Sequence, residues 1–179
     1  MTLEDFVFVN VVTGRRIAGD RLPSSELPVH CSIYRMGSDI LAIVHSHSQY
    51  ASTISCLHVN LPCILKDMAQ LIGTVHCAPY KLGGSQEELG AVAAGNLGDS
   101  NAVLLANHDA VCCERDLSEA FLINQAREKS AHAFLWASAQ PTGIHPIAAR
   151  EGESERQHYL HGYGRSQDQM LLRSGMQAI

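Results

Sequence analysis

The fold is decided by one short stretch of the chain, Ile40-Leu41-Ala42-Ile43-Val44-His45-Ser46-His47. A short, continuous apolar run is typical of a strand that is buried on both faces. Side chains two positions apart on a strand point to the same side. We therefore expect His45 and His47 to project together from the end of a buried strand, where they could bind one divalent metal ion.

A second apolar run ends in the same way. Residues 103–106, Val-Leu-Leu-Ala, are followed by Asn107 and His108. Three imidazoles at strand ends could occupy three corners of a tetrahedral Zn²⁺ site and leave the fourth open for water or substrate, as catalytic zinc sites do. Spacing alone does not establish such a site, because a single His at a strand end is more often a hydrogen-bonded structural residue. Both interpretations stay open at this point.

Glu26 is the candidate acid/base. It follows Pro23, Ser24 and Ser25 at the predicted start of a helix. A carboxylate there is stabilised by the helix dipole, which is the structural explanation. The catalytic explanation requires Glu26 to lie beside the metal, because a metal-bound carbonyl acidifies the adjacent C–H and a carboxylate can move that proton. The hydroxyls of Ser24 and Ser25, with the free N–H groups of the first turn, could hold a phosphate.

Strands and helices are predicted to be mixed along the chain. Strands are predicted at residues 6–12, 40–47, 75–80, 102–106 and 110–113, and helices from 24 or 25, at 49–56, 64–72 and 85–97, and from 116 to before Pro141. We place the N-caps of three of these helices at Ser24 or Ser25, Ser85 and Asp116. Such a mixture predicts α/β or α+β layers. The length predicts a single domain over residues 1–179, with a core of 1–140 and a C-terminal extension of 141–179.

Composition and charge exclude several classes of function. The 179 residues hold 13 Lys and Arg against 18 Asp and Glu, a net charge of −5, which argues against a nucleic-acid partner. The apolar runs are too short to span a membrane, and the N-terminus lacks a signal-peptide pattern, so we predict a cytoplasmic protein. The six cysteines form no C-x-x-C pair and are predicted to be free core residues.

Several motifs in the right order resemble the class II aldolase/adducin superfamily. The matching stretches are Pro23–His30, Ala42–Ser48, Cys77–Tyr80, Gly84–Leu89 and Asn101–His108. The resemblance runs from about Leu3 to Ser138, and Tyr163-Gly164 is similar to the family's C-terminal Tyr-Gly. Together these motifs are far more specific than His-x-His alone.

The resemblance implies a fold, an assembly and a set of site residues. The fold would be a three-layer α/β/α domain with a mainly antiparallel central sheet, and the assembly a homotetramer with active sites between subunits. The implied roles are zinc ligation by His45, His47 and His108, catalysis by Glu26 and by Tyr163 of a neighbouring subunit, and phosphate binding by Ser24 and Ser25.

The implied activity is that of a zinc-dependent aldolase that cleaves a small ketose phosphate through a metal-stabilised enediolate. An epimerase or a decarboxylase would use the same chemistry. Two alternatives remain: a non-catalytic binding or assembly module like the adducin head, and an inactive truncated paralogue.

Three features depart from the family's usual pattern. Members usually carry several dozen residues before the position of Leu3, so we expect part of the phosphate cradle to be missing here, whether the chain is a short form, a fragment or has a mis-set start codon. Lys66 stands where the fuculose-phosphate aldolases have a Tyr acid. It is therefore either a catalytic residue or an exposed surface residue. Asn107-His108-Asp109 replaces Asn-His-Gly, and that Gly often permits torsions costly for other residues.

Overall fold

The computed structural model describes residues 2–82 and 85–163. Its strands are β1 (Phe8–Val9), β2 (Arg16–Ala18), β3 (Ala42–Ser46), β4 (His76–Ala78), β5 (Ala102–Leu105) and β6 (Asp109–Glu114). Its helices are α1 (Leu27–Tyr34), α2 (Gln49–Ser55), α3 (Lys66–Leu71), α4 (Gln86–Leu97), α5 (Leu117–Ser138) and α6 (Ala149–His158), and a π-helical turn follows at Tyr159–Tyr163. Within this part of the chain, no helix combines the length and the apolar character that crossing a lipid bilayer requires.

Within residues 2–82 and 85–163, the central sheet has four strands in the order β3-β6-β5-β4. The pairs β3–β6 and β5–β6 are antiparallel, and β4–β5 is parallel. The mainly antiparallel sheet implied by the resemblance is therefore confirmed. β3 is an edge strand, however, and Leu41 before it is 67% exposed, so the prediction that this run is buried on both faces is wrong.

Helices cover both faces of the sheet. Val103, Leu105 and Val111 point toward one face, where they pack with side chains of α1 and α4. Leu104 and Cys112 point toward the other face, where they pack with side chains of α2, α3 and α5. The alternation follows from the two-residue period of a strand, and it explains why β5 and β6 read as continuous apolar runs. The three-layer α/β/α architecture is confirmed.

The N-terminal strand is shorter than predicted. β1 and β2 form a separate antiparallel hairpin instead of one strand over residues 6–12. The chain turns at Asn10, whose side-chain oxygen accepts hydrogen bonds from the N–H groups of Val12 and Thr13 at 3.0 and 2.9 Å. Asn side chains offer the backbone such local partners in place of a strand ladder, and this ends β1 early.

Helix termini agree only in part with the predicted caps. Asp116 accepts a hydrogen bond from the backbone N–H of Glu119 at 2.8 Å, which confirms it as the N-cap of α5. Ser85 occupies the predicted N-cap position of α4, but its side chain makes no capping hydrogen bond, so the predicted capping box is wrong. Gly98 ends α4 with a φ of +59°, as its position after Leu97 predicts.

The cysteines are free, as predicted, but not all are in the core. Cys112 and Cys113 are buried, and burial raises the pKa of their thiols to about 11 and about 12. Cys56 is exposed at the end of α2, so the prediction of a core position is wrong there. Burial of a thiol disfavours the reactive thiolate, which makes the two β6 cysteines inert.

The C-terminal extension packs on α3 through polar contacts. Glu155 on α6 lies 3.3 Å from Nζ of Lys66 and accepts a hydrogen bond from Gln70 at 3.0 Å. Arg156 donates to the carbonyl of Leu71 at 2.7 Å. The Lys66 side chain is 70% exposed, which favours its surface role. The division into a core and an extension stays a prediction.

Candidate metal centre

The sheet register brings the three histidines together. β3 pairs with β6 so that His45 lies opposite Val111 and Ser46 opposite Ala110. Continuing this register past the end of β3 places His47 beside the start of β6, where His108 closes the β5–β6 turn. Residues distant in sequence therefore meet at one end of a strand pair, as the two apolar runs predicted.

The three Nε2 atoms point at a common centre. Nε2 of His47 lies 3.2 Å from Nε2 of His45 and 3.1 Å from Nε2 of His108. Bonds of about 2.0–2.1 Å at tetrahedral angles around Zn²⁺ put ligand nitrogens roughly 3.3 Å apart. The rings stand nearly perpendicular to one another, at interplanar angles of 75° and 81°, with all three ligand atoms within 4.8 Å. This arrangement fits three corners of one tetrahedral cation.

The protonation of the rings favours a cation as well. Nδ1 of His45 donates to the carbonyl of Ala110 at 2.9 Å, so the Nε2 of the neutral ring carries a lone pair. Nε2 of His47 contacts two other Nε2 atoms, yet it can donate at most one linear hydrogen bond. Neutral rings therefore leave at least one pair of nitrogens without a shared proton, and a cation would satisfy all three.

The pKa of His45 is lowered, chiefly by burial. The hydrogen bond to Ala110 opposes this shift, the neighbouring rings of His108 and His47 add to it, and the charge of Glu26 opposes it. Burial disfavours the charged imidazolium, so His45 is held in the neutral form that binds a metal.

Glu26 occupies the N-cap position of α1. Burial lowers the pKa of His30 as it lowers that of His45, and the charge of Glu26 opposes the lowering at both rings. Its Oε2 atom is buried and has no hydrogen-bond partner among the described residues. A buried oxygen of this kind is costly unless something pairs with it, so it could accept a hydrogen bond from a ligand or substrate.

The two serines lie outside α1. The helix begins at Leu27 with Glu26 as its N-cap, so the prediction of a cap at Ser24 or Ser25 is wrong. Ser24 instead closes a turn before the helix: its Oγ accepts from the N–H of Glu26 at 3.1 Å and its carbonyl from the N–H of Leu27 at 3.1 Å. Both serines are exposed, so their hydroxyls are accessible to a ligand.

The position of Asp109 corrects an expectation from the sequence. The left-handed residue in the β5–β6 turn is Asn107, with a φ of +56°, and Asp109 lies in β6 opposite Leu105. Replacing the family's Gly by Asp at 109 therefore costs no left-handed strain. Asn107 tolerates its conformation better than most residues do, and its Oδ1 lies 2.5 Å from Nε2 of His58.

Sequence reasoning missed the part that α5 plays in this site. Glu128 accepts hydrogen bonds from the N–H groups of Tyr50 and Ala51 at 2.8 and 3.0 Å, which ties down the start of α2 just after His47. No local pattern distinguishes a helical Glu that reaches another helix from one that faces solvent. Tyr163 ends the π-helical turn, but its side chain and Gly164 lie outside the described residues, as does Gly84.

Fold and site together define a three-layer α/β/α domain with a three-histidine cluster and a carboxylate at one end of its sheet. The chain belongs to the Class II Aldolase and Adducin N-terminal domain family, which matches residues 1–135.

Two relatives and one solved structure illustrate the likeness. The 5-deoxy-D-ribulose 1-phosphate aldolase of Bacillus thuringiensis serovar kurstaki is 39% identical over 131 residues, 73% of this chain and 61% of that protein. The L-fuculose phosphate aldolase of Haemophilus influenzae is 33% identical over 148 residues, 81% of this chain and 67% of that protein. A solved L-fuculose 1-phosphate aldolase matches with a TM-score of 0.82 and 31% identity, over 89% of this chain and 74% of the other. The chain thus spans about three fifths of the length of the first relative.

Proposed function

We propose that this protein is a metal-dependent aldolase that cleaves a small ketose phosphate. The observation that carries the proposal is the convergence of three Nε2 atoms. Two properties of Glu26 support it: its charge acts on the ring of His45, and its buried Oε2 has no partner among the described residues. The names of the relatives, which are aldolases of phosphorylated sugars, support the same reaction class.

We propose His45, His47 and His108 as the ligands of the metal, with zinc as the preferred ion. Three imidazole ligands and one open position are typical of catalytic zinc. When bound there, the cation supplies Lewis-acid chemistry: it polarises the substrate carbonyl and stabilises the negative charge that develops on its oxygen.

Glu26 is proposed to move the proton at carbon. Breaking the carbon–carbon bond turns the hydroxyl-bearing carbon into an aldehyde, whose hydroxyl proton leaves to solvent, and leaves the electron pair of the bond on the carbon next to the carbonyl. Glu26, in its protonated form, delivers a proton to that carbon. In the condensing direction, Glu26 removes the same proton. A carboxylate without a hydrogen-bond partner is free to pair with the substrate, in keeping with this role. Tyr163 is the second catalytic residue that we propose, on the strength of the resemblance alone.

Ser24 and Ser25 are proposed to bind the substrate phosphate. Both are exposed and lie directly before Glu26, so their hydroxyls are accessible to a phosphate. The centre itself is open to the surface, since His47 is exposed and its two partners are half-buried. This openness supports a homotetramer in which a neighbouring subunit closes the site. A cytoplasmic location stays a prediction.

The proposal is tested by metal analysis and turnover on the same preparation. Purified protein is expected to hold about one equivalent of zinc by mass spectrometry, and to release dihydroxyacetone phosphate from a panel of ketose 1-phosphates. Glu26→Gln should keep the metal and lose roughly 10²–10⁴-fold in rate, the usual worth of general acid–base catalysis. Metal binding without turnover on any sugar phosphate would favour the adducin-like module or the inactive paralogue, and full activity of Glu26→Gln would reject its role.

A further inference from the structure

An ion pair lies fully buried beneath the histidines. Asp109 on β6 and Arg127 on α5 are both 0% exposed, and Nη1 of Arg127 lies 3.1 Å from Oδ1 of Asp109. A buried ion pair is weak evidence for stabilisation, because desolvation of the two charges offsets their attraction. The Nε of Arg127 is also buried and has no hydrogen-bond partner among the described residues. Stability alone therefore accounts poorly for this pair.

The pair contacts both chain segments that carry the histidines. On the β3 side, Nη2 of Arg127 donates to the hydroxyls of Ser46 and Ser48 at 3.0 and 2.9 Å. These two serines flank His47, and Ser46 directly follows His45.

Asp109 makes the matching contacts from the other side. It directly follows His108, and its Oδ2 accepts from the backbone N–H of Ser48 at 2.5 Å and from the hydroxyl of Ser46 at 3.3 Å. Asn124 on α5 completes the network, since its Oδ1 accepts from Nη2 of Arg127 at 2.7 Å and from the hydroxyl of Ser46 at 2.8 Å. One buried pair thus links the segment of His45 and His47 to the segment of His108.

We propose that Asp109 and Arg127 are positioning residues that hold the three Nε2 atoms at metal-binding distance before a cation arrives. This inference rests on the proposed metal centre. In the metal-free protein at least one pair of Nε2 atoms has no shared proton, and their lone pairs repel one another. The β3–β6 ladder ends at Ser46, so the ion pair holds the two segments together beyond the point where the ladder ends. The planar guanidinium suits that task, because its donors have a fixed geometry and it contacts both segments at once.

The test compares metal affinity with folding in a charge-neutral double variant. Asp109→Asn combined with Arg127→Met removes both charges together, so no unpaired charge stays buried and the net charge is unchanged. The dissociation constant for Zn²⁺ is measured by competition with a chelator, and the visible spectrum of the Co²⁺-loaded protein reports ligand geometry. Circular dichroism at the same temperature confirms that the variant is folded.

We expect the double variant to bind Zn²⁺ roughly 10–100-fold more weakly, the usual effect of losing the groups that orient metal ligands, with an altered Co²⁺ spectrum. Arg156→Met is the matched control. Its guanidinium donates to the carbonyl of Leu71 and to Asn101 at the opposite end of the β5–β6 hairpin, so its loss should leave both readouts unchanged.

A second variant covers the case in which the double variant does not fold. Ser46→Ala with Ser48→Ala keeps the ion pair and removes its hydroxyl contacts with the segment of His45 and His47, and it should also weaken Zn²⁺ binding. Wild-type affinity and an unchanged Co²⁺ spectrum in a folded variant would overturn the inference and leave the metal centre intact. Failure of the wild-type protein to bind zinc at all would overturn the metal centre itself, and the inference with it.

Discussion

Replacing His47 with Ala is expected to abolish most of the metal-dependent stability of this protein. Nε2 of His47, one of the three proposed ligands, lies 3.2 Å from Nε2 of His45 and 3.1 Å from Nε2 of His108. Zinc sites with four protein ligands have binding free energies of about 10–16 kcal/mol. One ligand therefore contributes about 3 kcal/mol, which is about two orders of magnitude in the dissociation constant.

The consequence for thermal stability follows by mass action. At a free Zn²⁺ concentration 100 times the wild-type dissociation constant, binding adds about 2.7 kcal/mol, which raises the Tm of a chain of this length by about 5–10 °C. At that concentration the variant, bound about 100-fold more weakly, gains only about 0.4 kcal/mol, or about 1 °C. In chelator the variant should be at least as stable as the wild type, because His47 is exposed and its loss relieves repulsion between lone pairs.

Differential scanning calorimetry with and without zinc measures the zinc-dependent shift in Tm of the wild type and of the variant. His145→Ala is the matched control, because His145 is also exposed and lies in the irregular segment before α6; it should keep the full zinc-dependent shift. If His47→Ala keeps that shift too, the ligand assignment is refuted.

Three further predictions concern the scaffold. Asn107→Ala should lower the free energy of unfolding by about 1 kcal/mol, because φ is +56° there, whereas Asn107→Gly should lower it less; urea titration checks both. Asp116→Ala should lower the free energy of unfolding by about 1 kcal/mol, because it removes the N-cap of α5, and it should leave the zinc affinity unchanged. Weaker zinc binding in this variant would contradict the prediction. Cys56 should react with a maleimide in the native protein, whereas Cys112 and Cys113, with pKa values raised by burial to about 11 and about 12, should react only after unfolding; mass mapping shows which sites are labelled.

Much of this fold could be predicted because its signals are local. The apolar run before His45 and the one before His108 each identify a strand, and neighbouring strands bring their ends together. The capping residue Asp116 predicts the start of α5 for the same reason, since an N-cap depends on the next three residues. The histidine cluster was thus predictable up to the pairing of β3 with β6.

The rest depends on contacts between distant residues. Arg127 is one of several charged residues on a long helix, and nothing near it in sequence indicates that it is buried or that it reaches Ser46, 81 positions away. Asp109 could be interpreted from the sequence only through its backbone torsions, because its ion-pair partner, Arg127, is not recognisable there. The early end of β1 was missed because the side chain of Asn10 competes with a strand ladder that propensity alone favours.

A crystal structure of the zinc-loaded protein, with anomalous data collected at the zinc edge, tests whether the three histidines bind one cation. We predict one anomalous peak about 2.0–2.1 Å from the Nε2 atoms of His45, His47 and His108, with the Glu26 carboxylate beside its fourth coordination position. An anomalous peak at another position, or a Glu26 side chain that points away from the cation, would contradict the proposed metal centre.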